Sequence, residues 1–332
     1  MGTGTGLNRV HIMLLTVVTK LKPRGGLMVS SVLSGIKIAV LGGDDRELIL
    51  VAELVKKGAT VVVAGFPKDK ISHGAFVVNS VEEACKDTEV LILPLPGTNE
   101  KGVIRAVYAD QELQLTEKAI AGVARNALII IGSARKYLKD WAVKYGLTLM
   151  EIVEMDEIAI LNSIPTAEGA LQIAMEETSS TIHGSKTCVI GFGRVGITMA
   201  RTLKALGSDV TVVARHPGQL ARAYEMGCIR AGYEDLHEIM NHTNIVFNTV
   251  PSMVLDSSIL KYANPEVLIV DLATQPGGTD FEAANNFGLK AILAPGLPGK
   301  VAPVFAGKIL ADVIPRLLIK EFAELDKDLL YG

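Results

Sequence analysis

The chain has 332 residues, a length that indicates two domains of ordinary size. Hydrophobic residues make up 49% of it and charged residues 21%, a composition that excludes a mainly disordered chain. The net charge of −3 and the lack of a basic stripe argue against nucleic acid as a partner. Three widely spaced cysteines are too few for a disulfide framework or a cysteine-based metal site, so we expect a cytoplasmic protein without a metal.

Residues 1–34 precede any periodic pattern, and we expect them to form a disordered N-terminal extension. Their longest apolar run, residues 12–18, is far shorter than the roughly 20 residues of a membrane span, so no membrane association is predicted. A secretory signal is the weaker alternative, because no cleavage site of small residues is evident. Translation that starts at Met28 would explain residues 1–27 equally well.

From Gly35 onward, short β-branched runs alternate with helical patterns. Continuous apolar strands joined by helices are typical of a parallel sheet covered on both faces. The predicted fold class is therefore α/β, with two doubly wound, Rossmann-like domains and a cleft between them. The predicted strands are 36–41, 60–64, 89–93, 128–131 and 147–150 in the first half, and 187–190, 210–214, 244–248, 267–271 and 289–293 in the second.

Three domain boundaries follow from this pattern. Residues 35–180 are assigned to a flavodoxin-like or Rossmann-like substrate domain, including a linker helix at 165–177 that opens with a proline. Residues 181–300 are assigned to a Rossmann domain that binds a dinucleotide. Residues 301–332 are predicted to form a long helix that packs back on the N-terminal domain, with a kink at Pro315.

The two halves read as a worn internal repeat with an offset of 149 residues. The repeat shows an asymmetry, because Asp44 and Glu47 of the first half stand where the second half has Gly193 and Gly196. Two acidic side chains crowd the turn and place negative charge at a helix N-terminus that otherwise attracts phosphate. We therefore expect the second half alone to hold a dinucleotide.

Gly191, Gly193 and Gly196 form a G-x-G-x-x-G motif between a predicted strand and a predicted helix. The first glycine allows a tight turn, the second lets backbone N–H groups reach a pyrophosphate, and the third lets the helix pack closely on the strand. In this context the motif predicts a dinucleotide site that includes Arg194 and Val195. The Arg194 side chain either faces the pyrophosphate or is simply exposed.

Arg215 stands at the end of the second strand of this unit, 19 residues after Gly196, and His216 follows it. Enzymes that use NAD place an acidic residue here to accept hydrogen bonds from the ribose. A guanidinium instead suits a 2′-phosphate, so we interpret Arg215 as a sign of NADP binding. A solvated surface arginine is the alternative.

Three later loops follow strands of the second unit and belong to the same crevice, because open α/β sheets bind ligands at the carboxyl ends of their strands. Glycines and prolines in these loops restrict the backbone for a close approach. For the last loop, a plain tight turn and a contact with nicotinamide are equally compatible with the pattern. The cofactor-contacting residues that we predict in these loops are Thr249, Pro251, Ala273, Gly296, Leu297 and Pro298.

Substrate-binding residues are sought in the first unit and in the linker. Arg46 is the cation best placed for an anionic substrate, with an ion pair to a neighbouring acid as the alternative. Ser163 and Thr166 lie in a polar stretch at the start of the predicted linker helix, where free N–H groups would favour a carboxylate; plain helix capping is the alternative. His183 is a weaker candidate for proton transfer, and the catalytic residues are left unassigned.

Several segments between residues 35 and 318 match a known family. The chain resembles the A subunit of dipicolinate synthase from endospore-forming bacteria. Residues 1–34 fall outside the resemblance, whose most specific parts are residues 162–166 and 276–281. The segments that carry it are 37–40, 42–44, 46, 162–166, 168–169, 181–185, 191–196, 248–249, 251–253, 276–281, 294–299 and 301–303.

The resemblance implies oxidation of dihydrodipicolinate to pyridine-2,6-dicarboxylate with NADP during sporulation, in the mother-cell cytoplasm. It implies a complex with the flavoprotein-like B subunit of dipicolinate synthase, and a homo-oligomer is compatible with it. Because aromatisation of the ring drives the hydride transfer, the protein mainly needs to position the substrate and neutralise its charge. A dehydrogenase of alanine or of 2-hydroxy acids is one competing interpretation, and a non-catalytic nucleotide-binding scaffold is the other.

Overall fold

The computed structural model describes residues 32–331. Residues 1–31 of the predicted N-terminal extension lie outside the described residues. For residues 32–34 the prediction of disorder is wrong. Residues 32–35 form a turn in which the Leu33 side chain is completely buried. The Leu33 N–H donates to the carbonyl of Lys57 at 2.9 Å, so this turn packs on the end of the first helix.

The chain divides into two compact units. Unit 1 comprises residues 32–158 and 303–331, and unit 2 comprises residues 159–302. Each unit contains a six-stranded parallel sheet, and the two sheets have the same topology. The first strand of each sheet lies in the middle, and the chain adds strands first on one side of it and then on the other. These are two doubly wound, Rossmann-like sheets, which confirms the predicted α/β class and its two Rossmann-like domains.

In unit 1 the sheet has the strand order β3-β2-β1-β4-β7-β8, and β5 and β6 form a separate antiparallel pair. Its strands are β1 Lys37–Leu41, β2 Thr60–Ala64, β3 Ala75–Val78, β4 Val90–Ile92, β5 Val103–Ile104, β6 Leu113–Gln114, β7 Leu128–Ile131 and β8 Thr148–Glu151. Its helices are α1 Asp45–Lys56, α2 Val81–Cys85, α3 Glu117–Ala121, α4 Lys136–Tyr145 and α12 Pro303–Tyr331, and α5 Asp156–Glu177 starts in it.

In unit 2 the strand order is β11-β10-β9-β12-β13-β14. Its strands are β9 Lys186–Ile190, β10 Asp209–Val213, β11 Ile229–Ala231, β12 Ile245–Asn248, β13 Leu268–Asp271 and β14 Lys290–Leu293. Its helices, besides most of α5, are α6 Arg194–Ala205, α7 Pro217–Glu225, α8 Leu236–His242, α9 Ser257–Leu260, α10 Phe281–Asn286 and α11 Leu297–Val301. Each predicted strand corresponds to an observed one within one residue at either end, whereas the edge strands β3 and β11 and the short pair β5 and β6 were not predicted.

The internal repeat is visible in the elements themselves. Strands β9 and β10 and helix α6 each begin and end 149 residues after β1, β2 and α1. Gly193 and Gly196 therefore occupy the positions of Asp44 and Glu47 in the same strand-turn-helix unit. The two turns differ in their side chains rather than in their place in the fold.

The linker helix differs from its prediction. Helix α5 begins at Asp156 and contains Pro165 inside it, nine residues after its start. From Ala159 onward the helix belongs to unit 2, so the predicted boundary at residue 180 is too late. The reason is packing, because one face of α5 is buried in the core of the second sheet. That face consists of Ala167, Ala170, Leu171 and Ala174.

The long helix α12 packs on α1 within unit 1. A Cβ atom on Gly307 would lie 3.0 Å from the Cα atom of Arg46, so the two helices approach closely at the first turn of α1. Pro315 lies inside α12, as predicted. No helix among residues 32–331 is long and apolar enough to cross a membrane.

Candidate dinucleotide site

The turn between β9 and α6 requires glycine at two places. Gly191 has a φ of +90°, and a Cβ atom there would lie 2.5 Å from the hydroxyl oxygen of Thr249. A Cβ atom on Gly196 would overlap the carbonyl oxygen of Gly191. The chain can therefore turn sharply from the strand into the helix, and the helix can lie directly against the turn.

Gly193 leaves the N-terminus of α6 open. It is the N-cap of this 12-residue helix and, as a glycine, has no side chain that could cap the first turn. A Cβ atom on Gly193 would have no neighbour within 4 Å. The N–H groups of Arg194 and Val195 lie in this first turn, where the helix dipole favours an anion, so the turn fits a pyrophosphate.

Arg215 and His216 follow β10 and are both exposed. The guanidinium carbon of Arg215 lies 6.0 Å from the centre of the Tyr233 ring, so the side chain rests over an aromatic face. His216 is the N-cap of α7 and makes no side-chain capping bond. The structure thus places an exposed cation next to the glycine turn, at the end of the adjacent strand.

Asn248 and Asp271, the last residues of β12 and β13, connect the next two loops and are completely buried. The amide of Asn248 donates to an Asp271 carboxylate oxygen at 3.0 Å and to the carbonyl of Val250 at 3.0 Å. The same carboxylate also accepts from the N–H groups of Ala273 and Gly278 and from the hydroxyl of Thr279. This network orders both loops, and the sequence analysis did not assign it.

The predicted contact residues in these loops have different surroundings. The Thr249 hydroxyl donates to the carbonyl of Ile190 at 2.9 Å and so supports the glycine turn. Pro251 is exposed. Ala273 is only 5% exposed, so it can contact a cofactor through its backbone rather than its side chain. A polar residue at the last position of two adjacent buried strands was the signal in the sequence that could have identified the network.

The last loop is shorter than predicted, because a helix begins inside it. Gly296 has a φ of +69° and is the N-cap of α11, which begins at Leu297. The Leu297 side chain is 3% exposed and belongs to the core of unit 2, where it lies against Gly169. Leu297 can therefore meet a cofactor through its backbone, while Gly296 and the half-buried Pro298 remain at the surface of the loop.

The first turn of α1 is closed by its own side chains. The Arg46 guanidinium donates to the two carboxylate oxygens of Asp44 at 2.8 and 3.0 Å, and Arg46 is only 5% exposed. Glu47 accepts from the Asp44 N–H at 2.7 Å. The ion-pair alternative for Arg46 is the one that the structure favours, because its guanidinium is committed to Asp44.

Burial and neighbouring charges shift the pKa values of Asp44 and Glu47 in this turn. Burial opposes the ionised form of Asp44, but the hydrogen bonds and charge of Arg46 outweigh it and lower the pKa of that carboxyl. Burial also raises the pKa of Glu47, which is 1% exposed. Asp44 is therefore held as the anion beside Arg46, and Glu47 favours its protonated form more than an ordinary glutamate does.

Ser163 and Thr166 were predicted to bind substrate because they would lie at a helix start, and that placement is wrong. Both residues lie inside α5, so their N–H groups belong to the helix and are not free at its start. The Ser163 hydroxyl is completely buried and bonds to Thr198 of α6 at 2.6 Å, and Thr166 donates to the carbonyl of Asn162. The Ser163 side chain therefore links α5 to α6 within unit 2 and does not face solvent.

His183 lies near the amino end of β9, whereas the crevice is formed at the carboxyl ends of the strands. It precedes β9, and its Nδ1 atom lies 3.1 Å from the carbonyl of Leu206 at the end of α6. A contact at a helix C-terminus is a structural role. The proton-transfer role considered for His183 is not supported by this position.

Comparison with known proteins bears directly on this geometry. Residues 37–153 match the family described as the N-terminal domain of the dipicolinate synthase A subunit. Over 298 residues the chain is 42% identical to the dipicolinate synthase A subunit of Bacillus subtilis (strain 168), a match that covers 89% of this chain and 100% of that protein. The chain belongs to the family of dipicolinate synthase A subunits.

Solved structures of the family support the assignment. The crystal structure of the dipicolinate synthase A subunit from Bacillus halodurans has a TM-score of 0.83 at 37% identity, covering 86% of this chain and 98% of that one. The crystal structure of the Bacillus subtilis protein has a TM-score of 0.83 at 40% identity, covering 90% of this chain and 100% of that one.

The second unit carries the dinucleotide signal. Residues 164–273 match the NAD binding domain of the D-isomer specific 2-hydroxyacid dehydrogenases. These residues include the glycine turn, Arg215, Asn248 and Asp271. Together the matches indicate an oxidoreductase with a nicotinamide dinucleotide as its cofactor.

Proposed function

We propose that this protein oxidises dihydrodipicolinate to dipicolinate with NADP, together with the B subunit of dipicolinate synthase, in the cytoplasm of the mother cell during sporulation. The observation that carries the proposal is the open first turn of α6 at Gly193, next to the exposed guanidinium of Arg215. The name of the Bacillus subtilis relative, which designates it the A subunit of an enzyme, supports a second subunit as partner.

When bound, the oxidised nicotinamide would accept a hydride from the dihydropyridine ring, and a proton would leave the ring as it becomes aromatic. In this chain the N–H groups of Gly193–Val195 would hold the pyrophosphate, and Arg215 would pair with the 2′-phosphate. Thr249, Pro251, Ala273 and the backbone at Gly296–Pro298 would line the rest of the crevice. The work of the protein is then positioning and charge neutralisation.

Cofactor titration tests the NADP part of the proposal. Wild type should bind NADPH more tightly than NADH, and Arg215→Asp should lose about 10–100-fold in NADPH affinity because a charge-assisted contact is replaced by repulsion. Arg222→Ala, which removes an exposed arginine of α7 that pairs with Glu225, is the control and should bind NADPH as wild type does. Equal wild-type affinity for the two cofactors would contradict NADP selectivity.

Turnover tests the reaction itself. Formation of dipicolinate from dihydrodipicolinate, followed by ultraviolet absorbance, should require this chain, NADP and the B subunit. Full turnover by the B subunit without this chain would reduce this chain to a nucleotide-binding scaffold. Turnover of alanine or a 2-hydroxy acid, with none of dihydrodipicolinate, would favour the other dehydrogenase classes.

A further inference from the structure

In unit 1 the carboxyl end of β1 is covered by the chain's own backbone. The Gly43 N–H donates to the carbonyl of Arg105 at 2.7 Å, and the Val107 N–H donates to the carbonyl of Gly43 at 2.9 Å. Gly42 has a φ of +60°, and a Cβ atom there would lie 2.7 Å from the same Arg105 carbonyl. The double glycine therefore holds Arg105 at a defined place over the strand end.

This place is the switch point of the sheet. β1 has β2 on one side and β4 on the other, so the strand order reverses between β1 and β4. Ligands of open α/β sheets bind outside the carboxyl ends of the strands at such a point. Arg105 thus lies where the topology of unit 1 favours a ligand.

The Arg105 side chain is only partly used by the protein. It is 43% exposed, and one guanidinium nitrogen lies 3.3 Å from a carboxylate oxygen of Asp44. Asp44 already receives two hydrogen bonds from Arg46, which is buried. Among residues 32–323, whose side chains are described, Asp44 is the sole ion-pair partner of Arg105, so the remaining donors of its planar fork can meet another carboxylate.

The acidic residues of the same turn are engaged elsewhere. The Asp45 carboxylate accepts a hydrogen bond from the hydroxyl of Tyr108. Glu47 points inward and accepts from the N–H of Asp44. An anion at Arg105 would therefore meet the exposed Asp45 and the Asp44 carboxylate, whose charge is offset by the two hydrogen bonds from Arg46.

We propose that Arg105, rather than Arg46, binds a carboxylate of a small dicarboxylate substrate at the switch point of unit 1. Asp44 orients the Arg105 guanidinium, and Arg46 is a positioning residue that holds Asp44. The inference rests on the proposed function and deepens it by naming the residue that recognises the pyridine dicarboxylate.

Calorimetric titration of the full chain with pyridine-2,6-dicarboxylate, in buffer and with saturating NADPH, tests the inference. Arg105→Ala should weaken binding about tenfold or more, with an unchanged melting temperature. Arg105→Lys should give an intermediate affinity, because it keeps the charge and loses the fork. Arg125→Ala is the matched control, because it removes an exposed arginine of unit 1. Arg125 precedes β7 and so lies near the amino ends of the strands, away from their carboxyl ends.

The outcomes separate this inference from the proposed function. If wild type and Arg105→Ala bind pyridine-2,6-dicarboxylate equally well, Arg105 is a structural residue and the inference is overturned, while the proposed function stands. If wild type does not bind it under either condition, the inference is overturned, and the proposed function is then decided by turnover of dihydrodipicolinate with the B subunit. Loss of binding in both Arg105→Ala and Arg125→Ala would point to overall charge and would also overturn the role of Arg105.

Discussion

Helices α1 and α6 are the same element in two copies of one fold, and their first turns are completed differently. In α6 the N-cap is Gly193, which has no side chain to cap the first turn. In α1 the N-cap is Asp44, whose carboxylate accepts from the Arg46 N–H at 3.1 Å, and Glu47 accepts from Asp44 in return. In unit 1 the Asp44 carboxylate and its capping partner Glu47 thus fill the place that unit 2 leaves to a cofactor.

The strand-end glycines of the two units also serve different contacts. In unit 2, Gly191 lies against Thr249 and lets the chain enter the helix. In unit 1, Gly42 lies against the backbone of Arg105, so the equivalent crevice holds part of the chain itself. A duplicated fold can therefore keep a dinucleotide crevice in one unit and, by a few substitutions in one turn, replace it in the other with a charged turn that carries Arg105.

Breaking the ion pair of unit 1 should have the largest effect on stability. Asp44→Asn keeps a capping side chain but leaves the Arg46 guanidinium buried without a counter-charge, so the free energy of unfolding should fall by roughly 3–5 kcal/mol. Urea unfolding followed by the fluorescence of Trp141, the single tryptophan and a residue of unit 1, measures it.

Asp45→Asn is the control for this variant, because Asp45 is the neighbouring exposed acid. It should cost no more than about 1 kcal/mol. A loss as small for Asp44→Asn as for Asp45→Asn would mean that Arg46 does not depend on its partner.

A smaller and pH-dependent effect is expected at Glu47. Burial raises its pKa in the folded chain, so its contribution to stability is present at low pH and is lost as pH rises through the folded pKa. Glu47→Gln keeps an acceptor for the Asp44 N–H and does not titrate. The stability of Glu47→Gln relative to wild type should therefore increase as pH rises above the ordinary glutamate pKa of 4.5, measured by urea unfolding at each pH. A difference that does not change with pH would contradict the buried position of Glu47.

Much of the fold was predictable because local and global signals agree. Apolar strands and a constant offset of 149 residues identified both sheets and the asymmetry of their turns. The edge strands β3 and β11 were missed because they are short and only partly buried, so their apolar pattern is weak. Pro165 indicated a helix start, but α5 continues through it because the face that follows is buried in the core of unit 2.

The candidate site was predictable where it depends on chain neighbours. The glycine turn and Arg215 follow from spacing, since each is tied to the end of a strand. The Asn248–Asp271 network and the position of Arg105 depend on residues brought together from separate strands and loops. Spacing does not show whether Arg46 meets a substrate or Asp44, because both choices use the same charge at the same position.

Gly193→Asp tests most directly the claim that the open turn of α6 holds the cofactor. The substitution gives unit 2 the residue of unit 1; its Cβ atom has no neighbour within 4 Å, and aspartate is a favoured N-cap, so the melting temperature should not fall. NADPH affinity, measured by calorimetric titration, should decrease about 100-fold or more because a carboxylate faces the pyrophosphate. Gly288→Asp adds the same charge before β14; because Gly288 has a φ of +71°, this control should lower the melting temperature, yet it should bind NADPH as wild type does. Wild-type NADPH affinity in Gly193→Asp would contradict the account.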